Sequence, residues 1–309
     1  MKRTFAAAIL VVAALVFPVA GENLTPEPST RTGGRCLSSI LKPNSTPLFA
    51  ARQAEDSGTD FSNFHSLSPR FVLYEDGHWI VQGFRYDNGR HVYAIAYGTV
   101  DSRSLAGFRS FLEEPEIRTW LVCSAGDPRS FTAAERSPGE IFVKVAGGVR
   151  IVPAGRIVSD MKRGRPSLRI VTMFQTLGDW IAMLSSEGTL IPDRAYFGYR
   201  TVSGNERFYN SINRATPLPD WISPPGFPGV GNLYPEACRT AQGSSKFWCD
   251  GWGVAEVRGC EAVDEAIERA NRSGNVFIQG GSTREFALTP VFPGLPPLDP
   301  SILLTQKER

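Results

Sequence analysis

The chain has 309 residues, of which 42% are hydrophobic, and 33 Lys and Arg side chains against 31 Asp and Glu side chains leave a formal net charge of +2. This hydrophobic content is enough to build a core, so we do not expect a wholly disordered chain. The basic residues form no run longer than the short "MKRGR" at 161–165, which we interpret as a solvated turn. We therefore expect no nucleic-acid partner.

The first 21 residues predict a secretory signal peptide. Lys2 and Arg3 precede an apolar run at 5–17, and small residues including Gly21 follow it. The run is about 13 residues long, shorter than the roughly 20 that a membrane helix needs, and no later stretch approaches that length. We expect cleavage after Gly21, a secreted or periplasmic location and no membrane span.

The composition along the mature chain predicts four further segments. Residues 22–60 are rich in Pro, Ser, Thr and Gly and predict a flexible arm, tied down at most by Cys36. An antiparallel, sheet-rich core is expected over 61–216. Residues 217–288 are expected to form a loop and a β-α-β unit packed on that core in the same domain, and the proline-rich 289–309 an extended tail. The predicted class is α+β, mainly antiparallel sheet with a few helices and a disulfide-stapled loop region.

The clearest strands lie at 70–100. Asp-Gly at 76–77 and Asn-Gly at 88–89 are hairpin signals between β-branched and aromatic residues, so we predict three antiparallel strands. Two-residue turns place Leu73 opposite Ile80 and make both faces apolar, as expected of a sheet covered on both sides. One face then carries Phe71, Leu73, Ile80, Phe84, Tyr93, Ile95 and Tyr97, and the other carries Val72, Tyr74, Trp79, Val81, Val92, Ala94 and Ala96.

The three histidines of the chain are His65, His78 and His91. The predicted register sets His78 and His91 eight positions apart along the middle strand, which is roughly 26 Å at about 3.3 Å per residue. Ligands of one zinc ion must each lie about 2 Å from it. We therefore predict no histidine metal site and no cofactor. His78, opposite Glu75 and Thr99, is a weak candidate for an acid-base cluster.

The segments after residue 100 predict alternating helices and strands. A helix begins at 102 and places Leu105, Phe108, Phe111 and Leu112 on one face until Pro115 interrupts it. "TWLVCSA" at 119–125 suggests a buried strand with Cys123 in the core. A Gly-Gly hairpin at 140–158 and a strand at 167–174 follow, whereas 178–192 fits either a helix or two strands.

The C-terminal third begins with a stretch unsuited to regular structure, because residues 217–235 carry six prolines. Residues 252–280 then predict a strand, a helix ended by Gly274, and a second strand. We expect this β-α-β unit to have parallel strands joined by a right-handed crossover.

The five cysteines suggest disulfides, because an exported chain passes through an oxidising compartment. Cys249 as a nucleophile would need an imidazole base, and its surroundings carry no cysteine-protease signature. With Cys123 buried and free, the other four cysteines would form two bridges. Spacing does not determine the pairing; we favour Cys238 with Cys249, and Cys36 with Cys260.

The sequence carries none of the common catalytic fingerprints: G-x-S-x-G, H-E-x-x-H, a Walker loop or a dinucleotide-binding motif. Aromatic residues on rigid loops can stack on sugars or peptides, although the alternative, that they form the local core of a stapled subregion, is favoured for residues of this kind. We predict an exported binding or structural module that contacts glycan or peptide. The alternative is a secreted hydrolase that uses carboxylates or the Glu75 and His78 pair. The candidate ligand-binding residues are Trp221, Phe227, Tyr234, Phe247, Trp248 and Trp252.

Overall fold

A computed structural model describes residues 34–53, 69, 71–87, 90–126, 139–145, 148–153, 156, 186–201, 216–217, 253–273, 276–279 and 282–295. Within these ranges the predicted α+β class is confirmed: the chain forms an eight-stranded sheet, a five-stranded sheet and three α-helices. None of these helices combines the length and the apolar character needed to cross a membrane.

The strands and helices are numbered here in chain order. The strands are β1 (Arg35–Cys36), β2 (Pro47–Gln53), β3 (Phe71–Tyr74), β4 (His78–Asp87), β5 (Arg90–Thr99), β6 (Gly139–Val145), β7 (Gly148–Pro153), β8 (Gly188–Ile191), β9 (Arg194–Thr201), β10 (Thr216–Pro217), β11 (Gly253–Arg258), β12 (Val276–Gln279) and β13 (Ser282–Pro290). The helices are α1 (Ser102–Leu112), α2 (Pro115–Ser124) and α3 (Cys260–Ser273).

The first sheet has the order β1-β8-β5-β4-β3-β2-β6-β7, and only the β1–β8 pair is parallel. The predicted β4–β5 register is confirmed, with His78 opposite Thr99 and Tyr86 opposite His91. The two histidines are therefore held at opposite ends of the hairpin. The predicted hairpin at 140–158 is also confirmed, because β6 and β7 pair antiparallel, but Gly148 is paired with Val145 and the connection is 146–147, one residue before the Gly-Gly pair.

The β3–β4 register differs from the prediction by one residue. Leu73 lies opposite Trp79, and the connection comprises the three residues 75–77, in which Gly77 has φ 91°. A three-residue hairpin with a left-handed glycine is a common alternative to the two-residue turn. Because successive strand residues point to opposite faces, the slip moves all of β3 to the opposite side from that predicted.

Both faces of the first sheet are buried, as predicted. On one face, residues including Phe71, Leu73 and Trp79 pack against α1 and α2, which contribute Leu105, Leu112, Ile117 and Leu121. On the other, residues including Val72, Tyr74 and Ile80 pack against α3 and the second sheet, which contribute Val263, Ala266, Ile267, Ala195 and Val257. Helix α3 therefore fills the space between the two sheets.

The segment at 34–53 is part of the folded body, whereas the sequence predicted a flexible arm over 22–60. Strand β2 lies between β3 and β6, and Phe49, Ala50 and Ala51 are fully buried there. The polar residues on either side of this short apolar stretch made the whole segment look flexible. The apolar side chains become buried only because strands on both sides pack against them. At the other end, Phe292 is also buried, so the predicted C-terminal tail begins packed against the body.

The segment "TWLVCSA" is helical, so its predicted strand is wrong. Pro115 occupies the first turn of α2, where a backbone N–H has no partner within the helix, so proline costs no hydrogen bond there. Ile117 and Leu121, one turn apart on this helix, are both buried. Cys123 lies on the outer side of this helix and is an exposed free thiol, not the predicted core cysteine.

The second sheet has the order β10-β12-β13-β9-β11. The succession of strand, helix and strand in β11-α3-β12 is confirmed, but the predicted parallel orientation is wrong. Strand β11 is antiparallel to β9, β9 to β13, and β13 to β12, so β11 and β12 run in opposite directions with two strands between them. Helix α3 crosses the inner face of the sheet from one edge toward the other.

A side chain of α3 hydrogen-bonds to the backbone of β5 at a position that β8 does not reach among the described residues. Strand β8 pairs with β5 only at Ala96 and Tyr97. Further along, the Asn271 amide accepts a hydrogen bond from the Tyr93 backbone N–H at 2.8 Å and donates to its carbonyl at 3.0 Å. Asn271 thus satisfies the strand edge as a neighbouring strand would. Burial raises the pKa of the Tyr93 hydroxyl far above its usual range, so it remains a donor, to Gln82.

Candidate functional site

The six predicted aromatic residues at 221–252 lie outside the described residues, as do Cys238 and Cys249. The strands on either side of this segment are described. It leaves the second sheet after Pro217 of β10 and returns at Gly253 of β11. These two strands form opposite edges of the five-stranded sheet.

The strand directions determine where the two ends of this segment lie. Strand β10 is parallel to β12, and β12 runs opposite to β11. The last residue of β10 and the first residue of β11 are therefore at the same end of the sheet. Four inter-strand spacings of about 4.8 Å separate the two strands, or roughly 19 Å. The end of β9 at Thr201 and the connection between β12 and β13 also lie at this end, called here the loop end.

His78 has a different acidic neighbour from the one predicted. Its Nδ1 lies 3.1 Å from Oδ1 of Asp76, which also accepts a hydrogen bond from the His78 backbone N–H. Despite this short distance, Nδ1 is buried without a hydrogen-bond partner among the described residues. The hydrogen bond from the His78 backbone to Asp76 stabilises the turn, and the His78 ring lies beside the same carboxylate oxygen.

Glu75 and Thr99 form contacts of their own and do not complete a cluster with His78. Glu75 makes an ion pair with Lys144 at 2.9 Å, and its backbone carbonyl accepts a hydrogen bond from Arg109. Thr99 donates to Glu187 at 2.6 Å. The one-residue register slip explains the difference, since Glu75 belongs to the turn and not to a strand pair with His78.

The favoured bridge between Cys36 and Cys260 is confirmed, with a Cα–Cα distance of 5.7 Å and a sequence separation of 224 residues. It joins the edge of the first sheet to the start of α3. Asp193, in the turn between β8 and β9, lies beside it: one carboxylate O, Cys36 Sγ and Cys260 Sγ are all within 4.8 Å of one another. Asp193 could not be identified from the sequence, because only the β8–β9 turn brings it to the bridge.

A charged triplet lies on β9 and β11 at the opposite end of the second sheet from the loop end. Glu256 accepts hydrogen bonds from Arg194 Nε at 2.7 Å and from Arg258 Nη2 at 2.9 Å. Burial acts to raise the pKa of the Glu256 carboxyl, but the hydrogen bonds and charges of Arg258 and Arg194 outweigh it and lower the pKa below its usual value. The single carboxylate of Glu256 is paired with both arginines, and the triplet carries a net charge of +1.

Comparison with known proteins gives no match, whether with family models, with curated proteins or with solved structures.

Proposed function

We propose that the chain is an exported binding module that contacts carbohydrate or peptide with aromatic side chains carried between β10 and β11. The observation that carries this proposal is the position of Pro217 and Gly253 at the same end of one sheet. A long insertion whose two ends are held by one rigid sheet is a common way to present a binding surface, because the scaffold supplies the order that loops lack.

The composition of residues 218–252 fits recognition by stacking. Tryptophan and tyrosine bury large areas with few rotatable bonds, and their polar atoms can hydrogen-bond to hydroxyl or amide groups of a ligand. The proposed contact residues are those predicted from sequence: Trp221, Phe227, Tyr234, Phe247, Trp248 and Trp252.

The disulfide supports the proposed export. Disulfides form and persist in oxidising compartments, and the Cys36–Cys260 bridge joins residues 224 positions apart. Together with the N-terminal signal pattern at 1–21, it favours a secreted or periplasmic location. Removal of residues 1–21 would leave Cys36 near the start of the mature chain.

The hydrolase alternative receives less support from the geometry. A general base must be within hydrogen-bond reach of its orienting partner and its substrate. Glu75 is paired with Lys144, and the contact between His78 and Asp76 stabilises a turn. The proposed acid-base pair is therefore not assembled in this structure.

The proposal is tested with the mature chain, beginning at residue 22, on glycan and peptide arrays. We expect binding to a restricted set of ligands, and a loss of at least tenfold in affinity when Trp221 and Trp248 are both changed to Ala, since stacking contacts of this kind are hot spots in recognition.

The matched control is Val122→Ala, which removes an exposed apolar side chain on α2, in the first sheet's helical layer. It should bind as the parent does. Circular dichroism spectra establish that each variant is folded. Equal affinity of the parent and a folded Trp221→Ala, Trp248→Ala chain would contradict the proposal.

A further inference from the structure

We propose that Cys36, Cys260 and Asp193 form a redox-dependent site for a thiophilic divalent cation of the zinc class: closed as a disulfide when oxidised, and able to bind the metal when the bridge is reduced. This proposal is independent of the binding surface at the loop end, because its residues lie at the other end of the second sheet.

The three side chains supply a suitable donor set. Two thiolates and one carboxylate are ligands found in zinc sites, and three protein ligands leave the fourth tetrahedral position open to water or substrate. Their donor atoms already lie within 4.8 Å of one another. In the oxidised chain the two sulfurs are bonded to each other, so a tetrahedral zinc ion with Zn–S bonds of about 2.3 Å needs the bridge reduced and the sulfurs separated to roughly 3.8 Å. The Cα–Cα distance of 5.7 Å leaves room for that separation.

The backbone positions of the three ligands are fixed independently of the bridge. Cys36 ends β1, which pairs with β8, and Cys260 begins α3, whose first turn is closed by a hydrogen bond from Val263 to Gly259. The Gly259 N–H donates to the Asp193 carbonyl at 2.8 Å, which ties the turn of Asp193 to the start of α3. Reduction therefore leaves the Cα atoms of the two cysteines close together, and side-chain rotation suffices to separate the sulfurs.

Ser38 orients the carboxylate of Asp193. Its backbone N–H donates to Oδ2 and its hydroxyl to Oδ1, both at 2.7 Å. Carboxylates that bind metals are commonly held by such neighbouring donors, which fix their direction and leave lone pairs for the ion. Partial burial of all three ligand side chains gives solvent access without full exposure.

The chemistry balances in two steps. A small dithiol transfers two electrons and two protons to the bridge, giving two cysteine thiols and a cyclic disulfide of the reductant. Binding of a divalent cation by both cysteine sulfurs then releases their two protons to solvent. A small-molecule disulfide reverses the process by thiol–disulfide exchange: it accepts the two electrons and becomes two thiols, while the bridge re-forms and releases the metal.

The test uses the mature chain with Cys123, Cys238 and Cys249 changed to Ser, so that Cys36 and Cys260 are its only thiols. The chain is reduced anaerobically with dithiothreitol, freed of the reductant, and titrated with Co²⁺, whose thiolate complexes absorb in the near ultraviolet, and with Zn²⁺ in competition. We expect one equivalent of metal in the reduced chain and none in the oxidised chain.

Two variants distinguish the proposed site from a bare thiol pair. Cys36→Ser should abolish binding, and Asp193→Asn, which keeps an acceptor for Ser38, should weaken it about tenfold or more. The proposal is overturned if the reduced chain takes up no metal, if Asp193→Asn binds as tightly as the parent, or if reduction unfolds the chain and metal does not restore its near-ultraviolet circular dichroism.

Discussion

The indole ring of Trp79 lies directly over the backbone of Gly98, its partner on the neighbouring strand β5. A Cβ atom placed on Gly98 would lie 2.5 Å from Cζ2 and 2.7 Å from Cε2 of Trp79, closer than such atoms approach. Trp79 is itself buried between the sheet and helices α1 and α2, so it has little room to move. The glycine is therefore a packing requirement of this face.

We expect Gly98→Ala to lower the free energy of unfolding by about 1–3 kcal/mol, because overpacking a rigid core forces side chains away from their preferred rotamers. The matched control is Gly107→Ala in α1, where a new Cβ meets nothing within 4 Å. That change should stabilise the chain by about 0.5–1 kcal/mol, since alanine is the better helix former. Urea denaturation measures both. Equal effects of the two substitutions would contradict the packing described for Trp79.

The Cys36–Cys260 bridge should contribute strongly to stability, because it closes a very long loop. With a sequence separation of 224 between its ends, restriction of the unfolded chain gives an upper value of about 5 kcal/mol. The double change Cys36→Ser and Cys260→Ser should therefore lower the melting temperature by many degrees, whereas Cys123→Ser should leave it nearly unchanged. Thermal unfolding monitored by circular dichroism compares them. An unaltered melting temperature in the double variant would show that the bridge stabilises little.

Cys123 should react in the folded protein. It is an exposed thiol on α2, so a maleimide added without reductant and without denaturant should label it. Mass spectrometry of the digested chain identifies the labelled cysteine. If Cys238 and Cys249 are bridged as the sequence predicts, Cys123 takes the only label. If the maleimide labels Cys123 only after the chain is unfolded, Cys123 lies in the core instead.

The Glu256 triplet should make stability depend on pH in the acid range. Because the folded-state pKa is lowered, the contribution is fully present above the unfolded-state pKa of about 4.3 and is lost as pH falls through the lower folded value. The stability difference between the parent and Glu256→Gln should hence be constant near neutral pH and shrink below about pH 4. Arg194→Gln removes one cause of the lowered pKa and should reduce this dependence. If the stability difference between the parent and Glu256→Gln is the same near neutral pH and below about pH 4, that would be evidence against the triplet.

The parts of the fold that could be predicted from sequence are those determined by local chemistry. Asn-Gly at 88–89 predicts the observed β4–β5 register. Asp-Gly at 76–77 predicts a two-residue turn, whereas the observed connection also includes Glu75. A single extra turn residue reverses every face assignment in β3. The same error produced the expected pairing of Glu75 with His78.

The parts that could not be predicted depend on distant partners. Strand β2 is stable only between β3 and β6, and nothing in residues 47–53 indicates either neighbour. The orientation of β12 relative to β11 depends on β9 and β13 lying between them, which the helix at 260–273 does not indicate. Asp193 is brought beside the disulfide by a turn whose neighbours are remote in the chain. The aromatic segment could be identified from composition, but the common end of its two anchoring strands could not.

The proposed function is binding of a ligand without cleaving it, so the most direct test measures the binding and the cleavage of one ligand. The ligand selected on arrays is titrated calorimetrically with three proteins: the mature parent, the double variant with Trp221→Ala and Trp248→Ala, and the single variant His78→Ala. Each mixture is then analysed for cleaved products. We predict saturable binding and an unaltered ligand, with affinity lost in the tryptophan variant and retained in His78→Ala. Consumption of the ligand by the parent, abolished in His78→Ala, would contradict the binding module and establish the hydrolase.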